Sequence, residues 1–202
     1  MKKLLVIFLL TIIFGCQSNT SEKYYFLDEF DAMDMGYPYG TVIHKSKETG
    51  NFDTIIIHSD IEKYGENKSY IIALQKPNKE LMLDRIESSL KALYKYNSEN
   101  DSNIIYFPHT YTTLEMNRQL KKDLDSLIQV TQDTINSYKI EAKRILEKES
   151  FYQKIFKNQI NYYMIDKKGD SVYGPMDRKE FLKLKSQKKI KLEFGEVPFW
   201  NW

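Results

Sequence analysis

The strongest constraint on this chain is a stretch of 60 residues, His109 to Lys168, that contains neither glycine nor proline. These two residues disfavour a helix interior most, glycine by about 1 kcal/mol and proline by about 3 kcal/mol. Within the stretch, apolar side chains recur at steps of three and four, the spacing of one helix face. The stripe consists of Leu120, Leu124, Leu127, Ile135, Tyr138, Ala142 and Ile145, with Thr131 between its halves. The pattern predicts one long helix, or two in line, over about residues 112–157.

Residues 24–76, before that stretch, have the pattern of β-strands. Runs of β-branched and aromatic side chains predict strands at 24–27, 39–44, 52–58 and 69–75. Gly50 lies between the second and third of these runs, where it can supply the positive φ of a hairpin turn. The period then changes to three and four, which predicts an amphipathic helix at about 79–96.

The chain returns to β-structure after the helical stretch. A hairpin is predicted, with strands at 161–166 and 171–173 joined by a turn at 167–170, and Gly174-Pro175 is expected to end it. Asp177 and Glu180 have the spacing of a capping box, which predicts a helix at about 178–187. Residues 189–194 are predicted to form a last strand.

These elements predict an α+β fold. We expect an antiparallel sheet built from strands within 24–76 and 161–174, with a long helical insertion at about 79–157 packed on one side. The whole of residues 24–202 is expected to form a single domain, which is long enough to bury a core.

The N-terminus has the pattern of a secretory signal. Lys2 and Lys3 precede an apolar run from Leu4 to Phe14, the order of the basic and apolar regions of a signal peptide. The run has 11 residues, whereas a membrane-spanning helix needs roughly 20. We therefore expect residues 1–15 to be a signal peptide that is removed from the mature protein.

The end of this segment, Ile13-Phe14-Gly15-Cys16, resembles the lipobox of bacterial lipoproteins. The resemblance implies that Cys16 is acylated, with palmitate-like chains, and begins a mature chain of 187 of the 202 residues. The polar residues 16–23 are then a flexible tether. Because Gln17 rather than an aspartate follows the cysteine, the resemblance also implies the outer membrane, facing the periplasm.

Charge and cysteine content narrow the classes of partner. The formal net charge of +2 comes wholly from Lys2 and Lys3, since the rest of the chain has 28 basic and 28 acidic residues. Nucleic-acid binding needs a concentrated basic patch, so no nucleic-acid partner is expected. Cys16 is the single cysteine, which excludes an internal disulfide and, once acylated, a thiol nucleophile.

Two further stretches carry a resemblance. The strands within 55–75, together with Tyr162–Lys167 and Val172–Pro175 and the following Glu180-Phe181, are similar to small Bacteroidota lipoproteins of unknown function. That resemblance implies a location in the cell envelope and a fold. It implies nothing about activity, since none is known for the family. The Tyr173-Gly174-Pro175 hairpin with its helix also resembles GYF-type peptide-binding modules.

The sequence points to no catalytic or metal site. His44 and His58 would share a face about 13 Å apart in one hairpin register and lie on opposite faces in the next, and His109 is remote in sequence. We expect structural or solvated histidines and no bound metal. Motifs for a serine nucleophile, a zinc protease or a phosphate loop are missing from the sequence. Acidic residues such as those in 28–34 leave a glycosidase-like carboxylate pair open.

Aromatic residues end the chain: Phe199, Trp200 and Trp202. Aromatic side chains anchor many interfaces, so these three are candidate partner-binding residues. The other interpretation is that the tail docks over the edge of the core, since apolar termini seldom remain in water.

The expected function is that of a non-enzymatic lipoprotein that binds a protein or peptide in the cell envelope, with the helical insertion facing the partner. The lipid on Cys16 is the only cofactor expected, and the bilayer the first partner. The alternatives are an envelope hydrolase that acts on glycan or peptide through carboxylates, and a structural spacer. Exposed apolar residues on a second face of 112–157 favour the binding protein, whereas a cleft with two carboxylates, one of raised pKa, favours the hydrolase.

Overall fold

The computed structural model describes residues 23–34, 36–47, 54–97, 106–107, 110–111 and 114–197. The first part of the chain forms β1 (Lys23–Leu27), α1 (Glu29–Asp34), β2 (Val42–Ser46), β3 (Thr54–Ile57), β4 (Ile61–Glu66) and β5 (Tyr70–Gln75). The insertion forms α2 (Lys79–Asn97), β6 (Tyr106–Phe107), β7 (Thr110–Tyr111), α3 (Leu114–Thr131), α4 (Thr134–Lys148) and α5 (Ser150–Ile155). The last part forms β8 (Asn161–Asp166), β9 (Ser171–Met176), α6 (Arg178–Gln187) and β10 (Gly195–Glu196). The predicted α+β class is confirmed.

The main strands form two antiparallel sheets, where the sequence predicts one. The first has the order β1-β2-β3, and the second has the order β10-β4-β5-β8-β9. β5 and β8 pair along their whole length, from Tyr70 opposite Asp166 to Gln75 opposite Asn161. This pairing joins the two strand regions across the helical insertion. The small pair β6 and β7 lies within the insertion.

β4 is a strand that the pattern does not separate from its surroundings. Charged side chains and Gly65 interrupt its apolar alternation, yet it pairs with β5 on one side and β10 on the other. A Cβ at Gly65 would lie 2.4 Å from the carbonyl oxygen of Glu193. The close approach of the segment before β10 therefore requires glycine here.

The second sheet is the central layer of the molecule, because successive side chains of its strands point to opposite faces. One face packs against the first sheet through Ile43, Ile57, Ile71, Ala73, Tyr163 and Ile165. The other face packs against α6 and the segment that follows it, through Ile72, Met164, Phe181 and Ile190. A third core, formed by Ala32, Tyr37, Val42 and Ile55, holds α1 against the first sheet.

The structure corrects the prediction of one helix, or two in line, over 112–157. Three helices occur, and the first break follows Thr131, the weak position of the apolar stripe. Gln132 has a φ of +53°, and the Asp133 side chain caps α4 by accepting a hydrogen bond from the Asn136 amide at 2.9 Å. Both α3 and α4 pack on α2 around one core: Met82, Ile86, Leu90, Leu124, Tyr138, Ala142, Ile145, Leu146 and Tyr152.

The C-terminal elements match the sequence with two corrections. α6 spans 178–187 as predicted, and both hydrogen bonds of the Asp177–Glu180 capping box are present. β9 does not end at Gly174-Pro175 but continues to Met176, since a proline is tolerated in an edge strand. The strand predicted at 189–194 does not form, and the last strand is instead β10. At Gly174, where φ is +128°, a Cβ would lie 2.6 Å from the Tyr163 ring.

The helical insertion meets the sheets at a polar junction centred on Gln75, at the end of β5. Its buried side-chain amide donates hydrogen bonds to the carbonyl oxygens of His58 and Ser59. Its carbonyl oxygen accepts hydrogen bonds from Asn161 Nδ2 and Tyr163 Oη, each at 3.1 Å. Asn161 also donates to the carbonyl oxygen of Ile155 in α5, at 2.7 Å. One amide thus links β5, β8 and the β3–β4 connection, and through Asn161 it reaches the insertion.

A second contact at this junction comes from Arg85 of α2, which is buried. Its guanidinium donates hydrogen bonds to Tyr37 Oη, at 2.8 Å, and to His58 Nδ1, and lies 4.8 Å from the centroid of the Tyr37 ring. The His58 ring also makes an edge-to-face contact with Phe151 of α5. The insertion is therefore attached to the sheets through directional polar contacts as well as apolar area.

Replacing Gln75 with leucine should lower the free energy of unfolding by about 2–5 kcal/mol, since each buried polar group left unsatisfied costs about 1–3 kcal/mol. Urea denaturation measures this change. The matched control is Gln187→Leu on exposed α6 surface, where we expect a change within about 0.5 kcal/mol. Equal effects of the two variants would contradict the role assigned to Gln75.

Candidate functional site

A cleft of about 310 Å³ opens where the connection between β3 and β4 meets the segment between β5 and α2. Its lining is almost entirely polar: Asp60, Glu62, Lys76, Pro77, Asn78 and Lys79. Two acidic and two basic residues therefore line one small volume. This is the cleft we treat as the candidate site, and we call it the Asp60 cleft.

The backbone around Asp60 is held by hydrogen bonds from three directions. The Thr41 hydroxyl accepts from the Ile61 amide at 2.6 Å and contacts the Ile61 carbonyl oxygen at 3.1 Å. The Lys76 amide donates to the carbonyl oxygen of Asp60 at 3.0 Å. The Gln75 side chain donates to the carbonyl oxygens of His58 and Ser59, the two residues before Asp60. The position of the carboxyl is thus set by the ends of two strands rather than by a free loop.

Gly40 provides the space that the Asp60 side chain occupies. Its φ is +86°, a region that glycine adopts without strain, and a Cβ built there would lie 2.4 Å from Asp60 Oδ1. Any other residue at position 40 would displace the carboxylate. The positive φ at position 40 and the position of the Asp60 carboxylate therefore both favour glycine.

Asn78 connects the cleft to the insertion. Its side-chain oxygen accepts hydrogen bonds from the amides of Glu80 and Leu81, which caps the N-terminus of α2. The same side chain hydrogen-bonds Asp60. The Asn78 side chain therefore caps α2 and hydrogen-bonds the Asp60 carboxyl at the same time.

Burial raises the pKa of the Asp60 carboxyl above its ordinary value, and the charges of Glu29 and Glu62 act in the same direction. The hydrogen bond from Asn78 and the charge of Lys76 oppose this effect without cancelling it. Glu62 is exposed, and its carboxylate lies 3.9 Å from Lys76 Nζ. The carboxyl of Asp60 thus retains its proton to higher pH than an ordinary aspartate, while its neighbour Glu62 is in contact with water, an arrangement suited to proton transfer.

A different surface is exposed on the insertion, at the corner between α3 and α4. Val130 is 82% exposed and Ile135 is 65% exposed, on the two sides of the break at Gln132 and Asp133. Ile140, further along α4, is also exposed. We call Val130 and Ile135 the apolar corner. Apart from Asp133, the side chains from 129 to 136 are uncharged.

The histidines of the sequence analysis lie in separate environments. His44 pairs with Ile55 in the first sheet and is buried, stacking on Tyr25 at 5.3 Å. His58 lies past the end of β3 and contacts Arg85 and Phe151. His109 falls outside the described residues. Across the described ranges, no group of three or more histidine, cysteine or acidic side chains has a geometry that could hold a metal ion.

The remaining candidate residues, Cys16, Phe199, Trp200 and Trp202, lie outside the part of the chain that the structure describes. Their proposed roles in lipidation and partner binding remain predictions. The acidic residues of 28–34 lie on α1 and just before it. Within the described residues, no helix is long and apolar enough to cross a membrane.

Sequence reasoning did not find the Asp60 cleft, because Asp60 and Glu62 are two of 28 acidic residues and nothing in their spacing distinguishes them. The available signal was indirect. Gly36 and Gly40 are two of only 8 glycines in the chain, and both have positive φ. At Gly40 the glycine marks the close approach of Asp60, whereas a Cβ at Gly36 would meet nothing within 4 Å, so there only the positive φ favours glycine.

Comparison with known proteins gives no relative. No family model matches the sequence, and neither a curated protein nor a solved structure matches it. The site must therefore be interpreted from its own geometry.

The pH dependence of stability should reveal the raised pKa of Asp60. A carboxyl whose pKa is higher in the folded state contributes stability below its unfolded-state pKa, near 3.8, which is lost as pH rises through the folded-state pKa. Asp60→Asn has no such charge, so the free energy of unfolding of this variant should improve relative to wild type between about pH 4 and 7. Urea denaturation across this range measures the difference.

The control is Asp84→Asn on the exposed side of α2, which removes the same charge from a solvated position. If both variants follow the wild-type pH profile equally, the pKa of Asp60 is not raised by its surroundings.

Proposed function

We propose that this protein is a lipid-anchored, non-enzymatic interaction protein of the bacterial envelope. Acylation of Cys16 would attach it to a membrane, in our proposal the outer membrane on its periplasmic side. Two or three acyl chains hold a protein permanently, whereas one holds it marginally. The domain would then present the insertion to a partner protein.

The observation that carries the interaction role is the apolar corner. Two large aliphatic side chains remain mostly in water at the one place where α3 and α4 change direction. Burying such a side chain contributes about 1.5–3 kcal/mol, which folding of this chain leaves unused. The surroundings are uncharged from 129 to 136 apart from Asp133. The matching partner is an envelope protein with an apolar, largely uncharged surface.

A photo-crosslinking amino acid at Ile135 tests this role in intact cells. We expect one discrete crosslinked product in the membrane fraction, because the corner is buried in the complex. The charged variant Val130→Asp should reduce this product to background, since burying an unpaired carboxylate is strongly unfavourable. The matched control places the crosslinker at Lys139, an exposed position on the same helix, and should give no product.

The anchor is checked in the same cells. Mass analysis should find lipid on Cys16 as the first residue, and Cys16→Ser should release the chain from the membrane and abolish the crosslink. An intact Met1 start or an unmodified Cys16 would refute the anchor. Equal crosslinking from Ile135 and Lys139 would refute the docking surface.

The Asp60 cleft favours a second candidate function, an envelope hydrolase that acts on glycan or peptide. A protonated carboxyl can donate to a leaving group while an ionised neighbour activates water or attacks. Asp60, whose pKa is raised by burial, and Glu62 line one cleft and are the two carboxyls available for these roles. Lys76 and Lys79 in the same lining would bind carboxylates of a substrate.

Incubation of the purified full chain with isolated peptidoglycan tests this candidate. If the cleft is catalytic, soluble fragments appear, and Asp60→Asn and Glu62→Gln each slow their release by about 10²–10⁴-fold. Glu80→Gln, at an exposed position on the first turn of α2, is the control and should retain the full rate. Release of no fragments, or release unaffected by either cleft variant, rejects the hydrolase.

A further inference from the structure

A second exposed apolar surface lies on α1, far along the chain from the apolar corner. Phe30 is 64% exposed and Met33 is 49% exposed. They are three residues apart, which places both on the outward side of the helix. The opposite side is occupied by Ala32, which is fully buried against the first sheet. α1 is thus fixed in place by its inner side while its outer side holds two large apolar groups in water.

The charged residues of α1 and of the residue before it all have one sign. Asp28, Glu29, Asp31 and Asp34 lie within seven residues, and the last turn of α1 contains no basic residue. Asp28 has a structural role, because its carboxylate accepts a hydrogen bond from the Asp31 amide at 2.9 Å. Asp34, at the C-terminal end, lies where the helix dipole disfavours a negative charge. Folding accounts for Asp28 as the cap and for Glu29 and Asp31 in the first turn, and it gives no reason for Asp34.

The acidic surface continues from α1 towards the Asp60 cleft. Glu29 is close enough to Asp60 for its charge to act on that carboxyl. Asp60 and Glu62 then continue the row of carboxylates into the cleft. Lys76 and Lys79 are the basic groups of that lining, so negative charge remains in excess across the joined surface.

We propose that the outer face of α1, with Phe30 and Met33 at its centre and the surrounding carboxylates, binds a basic polypeptide segment that has apolar side chains. Lysine or arginine side chains of the segment would lie against Glu29, Asp31 and Asp34. Its apolar side chains would cover Phe30 and Met33, which excludes water from the ion pairs. A bilayer is a poor alternative occupant, because bacterial membranes are themselves anionic and the face is acidic.

Binding should depend on both the positive charge and the apolar side chains of the segment. The full chain in an uncharged detergent is titrated with a short labelled peptide of alternating lysine and leucine, with empty micelles subtracted, and fluorescence anisotropy is recorded. We expect saturable binding that weakens with salt. A peptide of alternating lysine and serine, and one of alternating glutamate and leucine, should each bind at least about tenfold more weakly, which corresponds to about 1.4 kcal/mol.

Variants locate the binding surface. Phe30→Ser with Met33→Ser, and separately Asp31→Lys with Asp34→Lys, should each weaken binding by about tenfold or more. The matched controls are Val130→Ser at the apolar corner and Glu147→Lys on exposed α4, which should leave affinity within about twofold. Unchanged thermal unfolding of each variant verifies that α1 is still folded.

Several results would overturn the proposal: no saturable binding, equal affinity for the glutamate peptide, or equal losses in the control variants. Stronger association with anionic phospholipid vesicles than with the peptide would assign the face to a membrane instead. The outcome is separate from that of the proposed function, because crosslinking from Ile135 does not involve α1. Either surface can fail while the other stands.

Discussion

The fold depends on one buried amide, that of Gln75. A primary amide has two donors and two acceptor sites, and all four are used here, by the carbonyls of His58 and Ser59 and by the side chains of Asn161 and Tyr163. Leaving such a group unpaired in a core costs several kcal/mol, so the amide admits one arrangement of its neighbours and excludes shifted registers. That arrangement fixes the pairing of β5 with β8. Through the carbonyls of His58 and Ser59, it also fixes the backbone that precedes Asp60.

The same constraint shapes the junction with the insertion. Arg85 reaches this region from α2 and donates to Nδ1 of His58, whose backbone carbonyl is bound by Gln75. A guanidinium has only donors, so Nδ1 of His58 is the acceptor in this contact. Burial raises the pKa of Tyr37 on the other side of Arg85, which leaves that hydroxyl protonated beside the cation. The insertion is thus positioned by charge and hydrogen-bond direction, which specify orientation more sharply than apolar area does.

These interactions explain which parts of the fold could be predicted from the sequence and which could not. α2 and α6 could be predicted within a residue, because an apolar period or a capping box is encoded locally. The division of the strands between two sheets could not, since pairing is decided by contacts such as Gln75 with Asn161, which are 86 residues apart. Nor could the Asp60 cleft be found, because its character comes from Gly40 and Asn78, which approach from different elements. Thr131 is a weak position in the apolar stripe, which indicates where the helix can break. The sequence does not indicate the direction in which the chain turns there.

Apart from Lys2 and Lys3, the chain has 28 basic and 28 acidic residues, yet its charge is not evenly spread. Four acidic residues lie within 28–34, beside the exposed pair in sequence, and two more line the Asp60 cleft. Residues 129–136, which include the apolar corner, contain one charged residue, Asp133. Two exposed apolar surfaces with such different electrostatic surroundings are not interchangeable: one selects for positive charge and the other is nearly indifferent to it. This difference in electrostatic surroundings is the reason for proposing two separate contacts rather than one. Under the proposed lipid anchor and the two proposed surfaces, one chain would hold two different partners at a membrane.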